Sequence, residues 1–143
     1  YTAADKSPFM CGFQAAGAAP LVSGEIVEYP ETVATAIRIG NPASSEYAVA
    51  ARDESDGRIE AVTDEEILAA YRFVASVDGV FCEPASSAPV AGILKYKDEL
   101  PEGNVVCTLK GHGLKDPDTA TADFGDVTPI PPTLYAVLEM LGR

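Results

Sequence analysis

The chain has 143 residues, 47% of them hydrophobic and 22% charged, which suits one domain with a packed core and excludes wholesale disorder. Ten basic against 22 acidic residues give a formal net charge of -12, and a surface that negative repels phosphate backbones and anionic lipid. Neither nucleic acid nor a membrane surface is an expected partner, and no apolar run approaches the roughly 20 residues of a spanning helix.

The chain opens Tyr1-Thr2-Ala3-Ala4-Asp5, with no initiator Met and no basic stretch leading into an apolar one. The expectation is a cytoplasmic chain without a signal peptide, supplied as a processed or excised piece. Residues 8–17 read as a strand running into a small-residue turn. Residues 31–39 read as a short helix with Val33, Ala36 and Ile37 on one face. It ends at Gly40-Asn41-Pro42, where Pro42 disfavours helical geometry at Asn41. A second helix spans 44–54, started by Ser44 or Ser45; Asp56-Gly57 is a turn, and Arg58 to Val62 alternates like a strand.

Thr63-Asp64-Glu65-Glu66 has the pattern of a capping box, in which hydroxyl and carboxylate each satisfy a free amide at the helix start. Ile67, Ala70, Tyr71 and Val74 follow at helical spacing, so a helix is expected to about Ser76. Val80-Phe81-Cys82 reads as a short strand. Ser86 or Ser87 then caps a helix carrying Pro89 in its first turn and running through Val90, Ile93 and Leu94 to about Leu100. Val105 to Leu109 reads as another strand, Asp116 to Pro132 as an extended surface loop, and Thr133 to Leu141 as a last short helix.

Strands alternating with helices imply an α/β fold, a mostly parallel sheet flanked by helices on both faces. Ligands on such sheets sit at the carboxyl ends of strands. The loops that matter are then Gly40-Asn41-Pro42, Glu83 to Ser87 and Lys110 to Gly113. Glu83 directly follows an apolar strand, so its carboxylate is placed at the ligand crevice. Asp64, Glu65 and Glu66 are explained by favourable charge at a helix N-terminus.

Cys11, Cys82 and Cys107 stand far apart in apolar contexts and read as buried free thiols of a reducing compartment. With His112 as the single histidine, no ligand cluster forms and no metal site is expected. His112 also lacks a neighbouring nucleophile with an orienting acid, so it reads as a loop histidine. The glycines near 12–17 and 110–113 match no phosphate-loop or dinucleotide pattern and read as packing devices.

Four stretches taken together go further. Gly12-Phe-Gln-Ala-Ala-Gly-Ala-Ala-Pro20, Glu31-Thr-Val-Ala-Thr-Ala-Ile-Arg-Ile-Gly-Asn-Pro-Ala-Ser44, Gly79-Val-Phe-Cys-Glu-Pro-Ala-Ser86 and Gly111-His-Gly-Leu-Lys-Asp-Pro-Asp118 strongly resemble the threonine synthase family. The motifs occur in the family's order and cover nearly the whole chain from about Pro8. The resemblance implies a fold-type-II enzyme, like the tryptophan synthase β chain, that uses pyridoxal 5'-phosphate (PLP). Such an enzyme converts O-phospho-L-homoserine and water to L-threonine and phosphate, in threonine biosynthesis. The cofactor is the electron sink, and the protein supplies orientation and electrostatics.

The resemblance also implies that 1–143 is the C-terminal part of the large PLP-binding domain. In the family the Schiff-base lysine, the Asn beside the ring hydroxyl and the cofactor-phosphate loop lie upstream of the first motif. No catalytic residue is therefore assigned, and 1–143 alone is expected to be inactive. Lys110 stands where the family has a Thr, and relatives such as tryptophan synthase a Ser, whose hydroxyl meets the pyridine nitrogen. That departs from the pattern, because an ammonium can donate to the same nitrogen but is longer and costly to bury unpaired. Gly40, Asn41 and Pro42 resemble the loop near the ring, and Glu83 to Ser86 the segment flanking the pocket. Lys115 and Asp116 are expected to pair with backbone or with one another.

The resemblance leaves two alternatives: a fragment of a PLP-dependent threonine or serine dehydratase, and a non-catalytic remnant that binds a metabolite or partner. Incomplete sheet edges and apolar helix faces imply a homodimer, another oligomer, or a complementary chain.

Overall fold

Two strands, β1 (Cys11–Ala15) and β2 (Arg58–Val62), pair in parallel, with Cys11 opposite Arg58 and Ala15 opposite Val62. The computed structural model in which they lie describes residues 8–122 and 129–142. Parallel partners need a crossover, and the chain between them carries α1 (Pro20–Ser23) and α2 (Ser45–Glu54). After β2 come α3 (Asp64–Asp78) and α4 (Pro84–Tyr96), and the chain ends with α5 (Pro117–Thr121) and α6 (Leu134–Met140). A parallel sheet flanked by helices is the fold class read from the sequence.

The capping box forms as expected. Thr63 Oγ1 accepts from Glu66 N at 3.2 Å, and Glu66 Oε2 accepts from Thr63 N at 2.8 Å. Ile67, Ala70, Tyr71 and Val74 are the buried residues of α3, which ends on Gly79 in the left-handed region at φ 67°. Asp64, which opens the helix, also accepts from Thr32 Oγ1 and from Val33 N, pinning the preceding loop to it.

The core is built of small side chains. Ala15, Ala34, Val62, Ile67, Ala70, Ala85, Ala88 and Ala91 form one buried cluster, with Phe13, Ala36, Ile37 and Val90 packed around it. Alanines on both sides let α4 lie close over β1, and at Gly92 the helix makes room for the Phe13 ring. A Cβ at Gly92 would fall on the Phe13 ring. The α6 helix has no buried residue, and Leu134, Tyr135 and Met140 are exposed on it.

Several elements differ from expectation, each for a local reason. Residues 31–39 form only a 3-10 turn over Thr35–Ile37. The amides of Thr35, Ile37, Arg38 and Ile39 bond to carbonyls two or three residues back instead of four, so the segment turns more tightly than an α-helix and no α-helical ladder forms. Val80 to Cys82 is not a strand; Cys82 makes one isolated antiparallel bridge, to His112. Residues 105–109 form no strand either, and Val105 and Val106 are exposed, with no neighbouring strand among the described residues to pair with.

The α4 helix starts earlier than expected. Pro84 occupies its first position, where a missing N–H costs nothing, and Ser86 and Ser87 turn inward instead of capping. Pro89 accordingly falls inside the helix, which stops at Tyr96 before a 3-10 turn, Lys97–Glu99. The expected loop from Asp116 to Pro132 contains α5, because Asp116 Oδ1 accepts from Thr119 N and starts a helix at Pro117; residues 123–128 of that loop lie outside the described residues. Of the three free cysteines only Cys82 is buried; Cys11 and Cys107 are half-buried.

Candidate functional site

Two of the three loops singled out in the sequence meet. The first turn of α4 and residues 110–113 are stitched together through four backbone amides. Ser86 Oγ accepts from Lys110 N at 3.2 Å and from Gly111 N at 2.9 Å. Glu83 N donates to Gly111 O at 2.9 Å, and Gly113 N donates to Phe81 O at 3.1 Å. Ser86 was read as a helix cap, and its anchoring role has no local sequence signal, because its partners lie far along the chain.

Glu83 sits at the centre of this seam. The residue is 3% exposed, and its Oε2 pairs with Lys115 Nζ at 2.7 Å. Its Oε1 is buried without a hydrogen-bond partner among the described residues. That oxygen rests against Gly111, in the space a Cβ there would take. The placement of Glu83 at a strand end is replaced by the N-cap of α4, where negative charge is favourable although the side chain makes no capping bond. Lys115 and Asp116 do not pair with one another: Lys115 takes Glu83, and Asp116 caps α5.

Around the seam, Cys82 Sγ and Ser87 Oγ lie 3.4 Å apart. His112 meets the Phe81 ring edge-on, and its Nδ1 accepts from Leu114 N at 3.1 Å, which makes it a loop-shaping residue. The side chain of Lys110 has no partner among the described residues, and the residue is exposed. The seam thus presents the ammonium of Lys110, while its buried carboxylate is already committed to Lys115.

The third loop lies in a different neighbourhood. Asn41 and Pro42 line a shallow cleft of about 250 Å³ with Pro20, Leu21, Glu25 and Ser45. Gly40 is buried beside it, where a Cβ would fall on the Val27 carbonyl oxygen that it packs against. The cleft carries one carboxylate, Glu25, and no cationic side chain among the described residues.

Cys11 and Cys107 have thiols held above their ordinary range, chiefly by burial; for Cys11 the nearby Arg58 opposes the shift. The described residues contain no group of three or more His, Cys, Asp or Glu side chains able to hold a metal ion.

Comparison with known proteins puts this arrangement in context. Residues 2–111 match the family described as pyridoxal-phosphate dependent enzyme. The chain is 60% identical over 141 residues to threonine synthase of Mycobacterium tuberculosis, covering 96% of this chain and 39% of that protein. It is 54% identical to threonine synthase of Synechocystis, covering 96% of this chain and 37% of the relative. The chain therefore spans about two-fifths of the length of these curated relatives. Among solved structures it superposes on a threonine deaminase from T.th., with a TM-score of 0.54 and 24% identity over 65% of this chain and 36% of that one. It also superposes on an O-ureido-L-serine-bound mutant of O-ureido-L-serine synthase, with a TM-score of 0.63 and 20% identity over 94% of this chain and 39% of that one. These two share the fold.

Proposed function

This chain belongs to the pyridoxal-phosphate dependent enzyme family, and on that premise we propose that it is the C-terminal portion of a threonine synthase. The parent enzyme would convert O-phospho-L-homoserine and water to L-threonine and phosphate, in the cytoplasm. The observation that supports this reading is the likeness to threonine synthases, which runs along nearly all of the chain. On this reading, residues 1–143 make up the later part of the large cofactor domain and are inactive alone.

The residues present fit one side of the cofactor. On this reading Lys110, exposed and without a partner among the described residues, would be the donor for the pyridine nitrogen, with Glu83 behind it holding the segment, while Gly40, Asn41 and Pro42, which lie at a separate cleft, would have to reach the ring from another side in the whole domain. The phosphate end is another matter: the cleft at Asn41 and Pro42 repels an anion through Glu25, so its cradle is assigned to the rest of the domain. When bound, pyridoxal phosphate supplies an electron sink for carbanions. What this chain contributes is the orientation of position 110, through the amides that Ser86 holds.

The test is reconstitution. The chain is joined to the upstream part of the Mycobacterium tuberculosis relative, and phosphate release from O-phospho-L-homoserine is followed. Release by the joined protein and none by the chain alone is the expected result. Turnover by 1–143 alone, or a folded hybrid that binds cofactor and dehydrates threonine instead, would overturn the reading.

A further inference from the structure

We propose that Glu83 is a positioning residue: its buried carboxylate, wedged between Gly111 and the Lys115 ammonium, fixes the Lys110–Gly113 segment and so sets where the side chain at 110 stands. The proposal deepens the reading above and rests on its placing position 110 beside the cofactor ring.

Burial makes the carboxylate informative. A charge at 3% exposure is expensive, and an apolar residue of similar volume would commonly serve packing as well or better. Glu83 is nevertheless only half satisfied. Oε2 holds Lys115 at 2.7 Å, while Oε1 has no hydrogen-bond partner among the described residues and lies against Gly111. What the group gains is a grip on two points of one segment, residues 111 and 115, the second of them closing the 3-10 turn Gly113–Lys115.

The grip is referred to a rigid base. Glu83 stands at the N-cap position of α4, a helix of 13 residues whose Ala85, Ala88 and Ala91 belong to the core. Glu83 N also donates to Gly111 O, and Ser86 Oγ receives the amides of 110 and 111. Lys110 itself contributes only its backbone to this seam, so its side chain is placed entirely by what holds its neighbours. A group held by supporting contacts of this kind is oriented more accurately than one on a free loop.

The experiment is amide hydrogen exchange, read by NMR on the chain as it stands, at Gly111 and Gly113, with Ile67 and Ala70 of the core as references. Lys115→Met leaves the buried carboxylate unpaired and is expected to speed exchange at Gly111 and Gly113 at least tenfold, with the references unmoved. Glu83→Gln should do the same, and the double variant should be no worse than the worse single one. Lys115→Arg should restore the slow exchange, because it keeps the charge.

Unchanged exchange in Lys115→Met overturns the proposal, as do additive effects in the double variant or failure of Lys115→Arg to rescue. If Glu83→Gln unfolds the chain and Ile67 and Ala70 exchange faster too, Lys115→Met decides alone, since its side chain is 58% exposed and not part of the core. The exchange measurement needs no cofactor. Its failure sinks the grip and leaves the family reading intact, whereas failed reconstitution with slow exchange intact sinks the cofactor reading alone.

Discussion

The carboxylate of Glu83 occupies the volume that any side chain at residue 111 would need. Gly111 is not among the glycines with positive φ, so its requirement is steric and comes from one partner. Gly111→Ala is expected to cost about 1–3 kcal/mol, the usual range for forcing extra volume into packed surroundings. Urea denaturation would show this as a lower midpoint at unchanged slope. Glu83→Gln, which keeps the volume, should not rescue the variant; Glu83→Ala, which vacates it, should recover part of the loss.

The start of α3 carries the clearest single-residue stability effect. Thr63 accepts from Glu66 N, and Glu66 returns the bond to Thr63 N while also holding Lys95 at 3.0 Å. Thr63→Ala removes the accepting oxygen and should cost about 1 kcal/mol. Thr63→Ser keeps it and should stay near the parent. Thermal unfolding followed by circular dichroism measures both.

Stability should fall on the alkaline side. Burial pushes the Cys11, Cys107 and Tyr71 groups up from their ordinary values, and the bond to Glu66 raises Lys95. A group whose folded value is raised contributes stability that is fully present below its unfolded value and lost as pH climbs through the folded one. The contribution is therefore intact at pH 7, and Tm should begin to drop above about pH 9, where free thiols ionise. Cys11→Ser with Cys107→Ser should flatten the first part of that fall. A Tm rising between pH 8 and 10 contradicts the assignment.

Association is expected for the chain in isolation. Val106, Leu134, Tyr135 and Met140 are exposed apolar side chains, and the described sheet has only two strands. Light scattering after size exclusion should report dimers or larger species at micromolar concentration. A monodisperse monomer with a cooperative melt counts against the incomplete-domain reading.

What could be read from the sequence divides along a physical line. The α3 helix was legible because its cap and its periodicity lie within one short stretch, although it runs on to Asp78, past the expected end near Ser76, before Gly79 stops it. Both strands were legible from equally local signals, β2 through its alternation after a turn and β1, within the wider 8–17 stretch, through the small-residue turn that follows it. Val80–Cys82 and Val105–Leu109 have strand composition without strand structure, since a ladder needs a neighbour and composition cannot supply one. At the seam, Glu83 stood out by its place after an apolar run, but its partner Lys115 did not. That pairing is made in space, by the bridge between Cys82 and His112, and no spacing rule in the chain announces it.

The parallel pairing of β1 with β2 also dictates an order of events. Cys11 and Arg58 must find each other across the whole of α1 and α2, and closing so long a loop costs entropy before any ladder bond repays it. The α3 and α4 helices are neighbours in sequence and pack directly on one another, so their closure is cheap. The helical pair is accordingly expected to form the folding nucleus, with the strands zipped late against it. Substitutions at Ile67 or Ala88 should slow refolding, while those at Phe13 should chiefly hasten unfolding; stopped-flow refolding and unfolding rates in urea separate the two.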